Sequence, residues 1–261
     1  MSKKAQCVLS LMLLVTTVFS SIAQTDKETK RIEYAIDVLK DITSIPEKTI
    51  PERFLKSAHG LAIIPGVVKG AFGLGGRWGL GIITIRTDTG WSYPSFISVT
   101  GGSAGWQFGA QSSDFVLVFR TPRSIENIKK GKFTFGGDVS VTAGPVGRNA
   151  EASTDVQLKS EIYSYARSKG LFIGASIEGT SLRIDKKANA RFYKSDISAE
   201  KILNGEISTV PDVVKELDQM LNKVTGFNPE TKNTTPKPGQ DTTDNSTQDT
   251  TDNKTNDTTT D

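Results

Sequence analysis

The chain has 261 residues, a hydrophobic fraction of 36%, a charged fraction of 23% and a formal net charge of +3. The first 23 residues contribute +2 and the last 31 contribute −3, which leaves about +4 for residues 24–230. That excess is well below what nucleic-acid-binding domains usually carry, so no nucleic-acid partner is expected. The roughly 200 residues that remain are enough for one sizeable domain.

Residues 1–23 have the layout of a secretory signal peptide. Two lysines precede an apolar run from Val8 to Phe19, and Ser21-Ile22-Ala23 places small residues where signal peptidase reads the chain. The run is shorter than the ~20 apolar residues that a spanning helix needs. We therefore expect cleavage after Ala23 and export, to the periplasm of a Gram-negative cell or, as the alternative, to the extracellular space.

Cysteine usage restricts the chemistry of the exported chain. Cys7 is the only cysteine, and it lies before the apolar run. Cleavage would leave no cysteine, which excludes disulfides, thiol catalysis and cysteine metal sites in the mature protein. The domain must then be stable through core packing alone.

Residues 229–261 are expected to form a disordered tail. From Thr231 onward the chain has no aliphatic or aromatic apolar residue, and Gln240–Thr247 recurs almost unchanged as Gln248–Thr255. Such a segment cannot offset the conformational entropy that folding would cost. We interpret it as a solvated spacer.

Two helices are predicted ahead of the β-rich part of the chain. Apolar residues recur at the helical period from Asp26 to Thr43, opposite a face that mixes acids and bases. A membrane-surface helix is normally rich in Lys and Arg, so this apolar stripe is expected to pack onto the domain. Pro51 opens a shorter helix over Glu52–Ala58, and Leu61–Pro65 is predicted to be a short buried strand.

The middle of the chain is predicted to form an antiparallel sheet, curled or closed into a barrel. Short segments of β-branched and aromatic residues alternate with turn signals, and glycines inside the strands permit tight bends. The predicted strands are Leu80–Thr87, Ser95–Thr100, Ala104–Ala110, Phe115–Arg120, Lys132–Thr142, Ser153–Lys159, Ile162–Ala166, Leu171–Ile177 and Thr180–Asp185.

Three further helices complete the predicted domain. One fits Pro122–Lys130 behind an N-capping Thr121, and Ser198 is expected to cap Ala199–Leu203. The last, Val210–Val224, is predicted to open with a capping box from Thr209 to Asp212. The predicted fold class is therefore α+β over residues 24–228, a glycine-rich sheet flanked by N- and C-terminal helices.

No group of residues predicts catalysis. His59 is the only histidine, and its place at a helix end favours a capping or structural role. Asp88-Thr89-Gly90 resembles the triplet of aspartic proteases, but such a site needs two of these carboxylates, and the same residues make an ordinary hairpin turn. No catalytic residue, no metal and no cofactor is predicted.

The glycines between Lys69 and Arg77 match no phosphate-binding loop. They precede a strand, whereas a phosphate-binding loop leads into the N-terminus of a helix. Exposed backbone amides beside two cations could nevertheless hold an anionic head group.

Several motifs occur in an order that resembles SYLF domains, over roughly Ile50 to Gly205. They are Leu61-Ala-Ile-Ile-Pro65 with Lys69-Gly70, Gly90-Trp-Ser-x-Pro-Ser95, Gly105-x-Gln-x-Gly109, Gly144-Pro-x-Gly-Arg148, Tyr163-Ser-Tyr165, Ser168-Lys-Gly-Leu-Phe-x-Gly174 and Glu178-Gly179. The resemblance implies a non-enzymatic, lipid- or membrane-binding module.

The resemblance also implies partners. Eukaryotic SYLF proteins bind phosphoinositide membranes, some with the help of an amphipathic helix before the domain, and yeast members bind actin filaments. Secreted bacterial members are usually described as lipid-binding. If the source is bacterial, actin and phosphoinositides are not expected as natural partners of an exported chain.

We therefore predict an anionic lipid or membrane surface as the partner, and an envelope module for protein or glycan as the alternative. The candidate lipid-binding residues lie beside glycine or in a motif: Lys69, Arg77, Trp91, Arg148, Arg167 and Lys169. Trp78 and Trp106 are further candidates for an apolar site or an interfacial anchor. Core packing for each tryptophan and a solvated surface for each cation remain the alternatives.

Overall fold

The computed structural model describes residues 27–43, 49–72, 74–103, 109–129, 131–147, 160–168, 170–207 and 209–227. The predicted signal peptide, the predicted tail from residue 229 and the predicted strand Ser153–Lys159 lie outside the described residues, as do residues 104–108 of another predicted strand.

The described residues form helices at both ends of a β-rich middle. The helices are α1 (residues 27–42), α2 (Glu52–Lys56), α3 (Pro122–Lys129), α4 (Lys186–Tyr193), α5 (Ala199–Leu203) and α6 (Asp212–Thr225). The strands are β1 (Gly60–Phe72), β2 (Leu74–Thr87), β3 (Gly90–Trp91), β4 (Ser95–Ser103), β5 (Gly109–Phe119), β6 (Lys132–Thr134), β7 (Val141–Ala143), β8 (Ile162–Ser168), β9 (Leu171–Gly174) and β10 (Thr180–Ile184).

All ten strands belong to one strongly curled sheet in the order β6-β10-β4-β2-β1-β5-β8-β7, with β3 beside β2 and β9 beside β8. The pairs are antiparallel except β7 with β8. The first and last strands in this order, β6 and β7, are consecutive in the chain and only residues 135–140 connect them. So short a connection brings the two ends of the sheet together, so the sheet must curl. The predicted α+β class and curled sheet are confirmed.

The curled sheet has an inner and an outer layer because successive residues of a strand point to opposite faces. Ala62 and Ile64 of β1 pack in the inner layer, which also takes residues from both end strands. Leu61 and Ile63 pack in the outer layer, beneath α1, α2, α4 and α6. Both layers are apolar, so β1 reads as an almost continuous hydrophobic run.

Helix α1 is fixed to the outer layer by its apolar stripe and by ion pairs. The stripe is buried along its length: Ile32, Ala35, Ile36, Val38, Leu39 and Ile42. The ion pairs join α1 to α4, to the residue before α4 and to β8: Glu28 with Arg191, Arg31 with Asp185, and Asp41 with Arg167. The expectation that this stripe packs onto the domain is confirmed, and in this structure the stripe is not free to meet a bilayer.

Several local predictions are also confirmed. The side chain of Thr121 accepts a hydrogen bond from the Ser124 amide at the start of α3, 3.2 Å away, and Ser198 caps α5. Asp88 and Thr89 form the turn between β2 and β3, so the protease-like triplet is a hairpin turn.

Three local predictions were wrong. The strand predicted over Lys132–Thr142 is split into β6 and β7, because the chain turns between them at Gly136, whose φ is 83°. Helix α4 was missed, since much of its sequence is charged, although Asp185 caps it by accepting from the Ala188 amide. The capping box before α6 does not form: the helix begins at Asp212, after Pro211, with no side-chain cap.

Close backbone approach at Gly81 predicts a large effect of a single methyl group. A Cβ at this position would lie 2.8 Å from the Ile64 Cα and closer still to the Ile63 carbonyl oxygen. Gly81→Ala is expected to reduce the free energy of unfolding by about 1–3 kcal/mol, the usual cost of overpacking. Urea denaturation followed by circular dichroism measures the change. Gly76→Ala is the control, because a Cβ there meets nothing within 4 Å; equal losses in both variants would contradict the explanation.

Candidate anion-binding site

Two of the candidate cations are neighbours on adjacent strands. The register of the β1–β2 hairpin pairs Lys69 with Arg77. Side chains of directly paired residues lie on the same face, with Cβ atoms about 4.5–5.5 Å apart. Like charges at that spacing repel each other, so the pair is stabilised by any anion that binds between them.

Arg77 is held at the end of the inner layer. Its Nη1 donates to Thr180 Oγ1 over 3.2 Å and, more weakly, to the Ser176 carbonyl oxygen over 3.5 Å. Its guanidinium carbon lies 5.4 Å from the centre of the Phe115 ring, a cation–π contact. Burial lowers the pKa of the Arg77 guanidinium, which means that the cation has lost part of its hydration. An anionic ligand would compensate the Arg77 guanidinium for this lost hydration.

No carboxylate balances this pair within the part of the chain that the structure describes. The ion pairs found there join other residues, and none includes Lys69 or Arg77. Beneath Arg77 the inner-layer side chains leave a space of only about 10 Å³, barely room for one water. A ligand at this pair would therefore bind at the surface, through its charged group.

Trp91 lies elsewhere, against the last helix. Its side chain is 8% exposed, and its Nε1 donates to Thr225 Oγ1 over 3.3 Å. The Arg86 guanidinium covers the ring at 4.7 Å. These contacts are those of a core residue.

Two cavities of ligand size lie beside α6. Residues 89–94 and α6 line one of about 460 Å³, where burial raises the pKa of the Asp218 carboxyl. The other, about 500 Å³, lies between the end of α4 and the start of α6. Val210 lines both. Neither is lined by Lys69 or Arg77.

Arg167 joins three elements of the fold. It contacts Asp41 of α1 at 2.6 Å and Asp114 of β5 at 3.1 Å. Asp114 in turn accepts from the amide of Gly66, at the irregularity in β1. An anionic lipid would have to compete with two carboxylates for this guanidinium.

The structure therefore brings together two of the six candidates, Lys69 and Arg77. Arg148 and Lys169 lie outside the described residues. The sequence offered one signal for the pair: the glycines between two cations are compatible with a long hairpin, and a hairpin of that length pairs its two ends. It gave no signal that Val68 would be exposed beside Trp78.

The residues that the structure describes hold no cluster of three or more His, Cys, Asp or Glu side chains placed to bind a metal ion. No helix among them has the length and hydrophobicity that crossing a membrane requires.

The fold and the site define the class of this protein. It is an α+β domain built on a strongly curled sheet, with two cations side by side near the end of one hairpin. A family described as "Las17-binding protein actin regulator", Ysc84, matches residues 100–224. The chain belongs to this Ysc84 (SYLF) domain family, as its motifs predicted.

Curated relatives come from animals and yeast. "SH3 domain-containing YSC84-like protein 1" of Xenopus laevis is 38% identical over 199 residues, which cover 73% of this chain and 59% of the relative. The Bos taurus protein of the same name is 37% identical over 198 residues, covering 73% and 58%. "LAS seventeen-binding protein 3" of Saccharomyces cerevisiae is 40% identical over 171 residues, covering 64% and 37%. The chain thus spans less than two thirds of the length of each, and none of these names is that of an enzyme.

The ion pairs of Arg167 predict a loss of stability when its charge is removed. Arg167→Gln leaves the Asp41 and Asp114 carboxylates without their shared cation. The free energy of unfolding is expected to fall by about 1–3 kcal/mol. Urea denaturation measures it.

Arg123→Gln is the matched control for this loss. The Arg123 side chain is 81% exposed and its contact with Glu161 is 3.8 Å long, so less than about 0.5 kcal/mol should be lost. Similar losses in the free energy of unfolding for the two variants would contradict the structural role of Arg167.

Proposed function

We propose that this protein is an exported, non-enzymatic membrane-binding protein that recognises anionic lipid head groups at Lys69 and Arg77. The observation that carries the proposal is the pairing of these cations on adjacent strands, with no acidic partner among the described residues. A lipid phosphate supplies the negative charge that no described carboxylate provides to this pair.

Shape and charge both support a surface mode of binding. Arg77 is partly desolvated but remains at the surface, and the space below it is too small for an acyl chain. Each basic residue near an anionic membrane contributes about 1 kcal/mol, so two cations give weak, charge-dependent attachment. Stable attachment requires further contacts with the bilayer.

Export is the part of this proposal that rests on the N-terminal residues alone. The basic start, the short apolar run and the small residues before position 24 support it. N-terminal sequencing of the protein from its native cell is the test. A chain that starts at Gln24 is expected, and a mature chain that retains residues 1–23 would overturn export without touching the lipid site.

A protein partner is the second candidate. The matched family is described as a Las17-binding protein and actin regulator, and the yeast relative is named as a LAS seventeen-binding protein. Co-sedimentation with actin filaments tests it. If the variant without the two cations pellets with actin as the wild type does, the protein-binding surface lies elsewhere on the domain. In an exported chain the corresponding partner would be a protein of the cell envelope.

Neutralising the cation pair predicts a loss of vesicle binding. Lys69→Gln with Arg77→Gln should weaken flotation with phosphatidylglycerol vesicles by roughly 30-fold, since each charge accounts for about 1 kcal/mol. Phosphatidylcholine vesicles should bind neither protein. Lys69→Gln alone, which removes no side-chain hydrogen bond found among the described residues, should weaken flotation about fivefold.

Lys186→Gln with Lys187→Gln is the matched control for charge. These exposed lysines open α4, directly after the end of β10 that lies away from Thr180. The control removes the same two charges and should bind as the wild type does. Equal losses in both double variants would mean that net charge alone drives binding, and wild-type flotation that fails altogether would sink the proposed function.

A further inference from the structure

An exposed apolar pair lies on the opposite face of the same hairpin. Val68 and Trp78 are cross-strand partners in β1 and β2, one position along from Lys69 and Arg77. Their exposed fractions are 44% and 52%, high for large apolar residues, and no described helix covers them. Because successive residues alternate between faces, the apolar pair is on the outer face and the cation pair on the inner one.

Beyond these two pairs the hairpin carries no charge. Residues 70–76 are Gly-Ala-Phe-Gly-Leu-Gly-Gly, with β1 ending at Phe72 and β2 beginning at Leu74. The neighbouring strands are equally bare, since Gly76 pairs with Gly102 of β4 and Gly70 with Ala110 of β5. A Cβ at Gly76 or Gly102 would meet nothing within 4 Å, so the sheet is open there.

The length of this uncharged end suits a membrane interface. Phe72 is the third residue after Lys69, and a strand rises about 3.4 Å per residue, so the end extends roughly 10 Å past the cations. Peripheral elements enter the boundary between head groups and acyl chains by about 5–10 Å. Tryptophan is enriched at the head-group level, where cations also meet the lipid phosphates.

We propose that the β1–β2 hairpin enters an anionic bilayer end-on, with its uncharged end in the interface and with Lys69 and Arg77 at the lipid phosphates. Val68 and Trp78, one residue farther from the end of the hairpin than the cations, meet the head-group region on the other face. This inference rests on the proposed function and adds the element that anchors the protein.

The arrangement of the two pairs selects a bilayer as the occupant. A protein groove or a second copy of the chain would cover one face of the hairpin, either the apolar pair or the cation pair. A bilayer entered end-on surrounds both faces. Its head-group region meets the cation pair and the apolar pair, and the apolar layer below it meets the uncharged end of the hairpin. Helix α1, whose apolar stripe is buried, cannot serve as the anchor in this structure.

An environment-sensitive fluorophore at the hairpin tests this directly. The full chain carries Cys7→Ser, so that Gly76→Cys can be labelled alone, and the open space around Gly76 tolerates the label. Lys187→Cys, at an exposed position of α4, is the control. With vesicles of equal parts phosphatidylglycerol and phosphatidylcholine, the label at 76 should shift to the blue and brighten several-fold. Phospholipids brominated on their acyl chains should quench it, and the label at 187 should not respond.

Removing the apolar pair gives a second readout. Trp78→Ser is expected to weaken flotation at least about tenfold, because the half-exposed ring loses its burial in the interface. Ile173→Ser is the matched control: Ile173 is 54% exposed on β9, outside the hairpin, and its loss should change nothing. Equal weakening by both variants would overturn the inference.

The remaining outcomes separate this inference from the proposed function. If the protein floats with anionic vesicles but the label at 76 stays in water, the hairpin does not insert and head-group recognition stands. If nothing floats, both fail. If the label shifts to the blue with protein concentration in the absence of lipid, a second copy occupies the hairpin, and the bilayer is the wrong occupant.

Discussion

The connection between β6 and β7 is the constraint on which the rest of the structure depends. Six residues join strands that stand at opposite ends of the sheet order, so the sheet must curl until its two end strands lie within reach of that connection. The curl encloses the inner apolar layer and leaves an outer face that helices cover. Glycines such as Gly81, where a backbone passes too close for a side chain, are what allow so tight a bend.

Charge in this fold is used in two ways. On the outer face, cations are matched with carboxylates: Arg167 between Asp41 and Asp114, and Arg191 with Glu28. These pairs hold α1 and the sheet together. Near the end of the β1–β2 hairpin, Lys69 and Arg77 are paired without a matching acid in the described part of the chain. The first arrangement stabilises the domain, whereas the second is the one that we propose binds an anion from outside.

The structure favours the β1–β2 hairpin over helix α1 as the element that contacts a membrane. The amphipathic helix ahead of the domain buries its stripe against the outer layer and is held there by three ion pairs. Its release would expose the six apolar side chains of the stripe and break the three ion pairs at the same time. The hairpin needs no such rearrangement, because its apolar pair is already exposed and its end is already uncharged.

The sequence by itself determined the α+β class, the amphipathic α1, two helix caps and the hairpin turn at Asp88, because each depends on residues close together in the chain. Its motifs also identified the family. It could not divide Lys132–Thr142 into two strands at opposite ends of a sheet, nor find α4, since both depend on distant packing partners. Only the tertiary structure separated the four candidates that it describes: strand register paired Lys69 with Arg77, while packing placed Trp91 in the core and two carboxylates engaged Arg167. The local sequence pattern determines helices, caps and turns, whereas long-range strand register and packing determine which distant side chains come into contact.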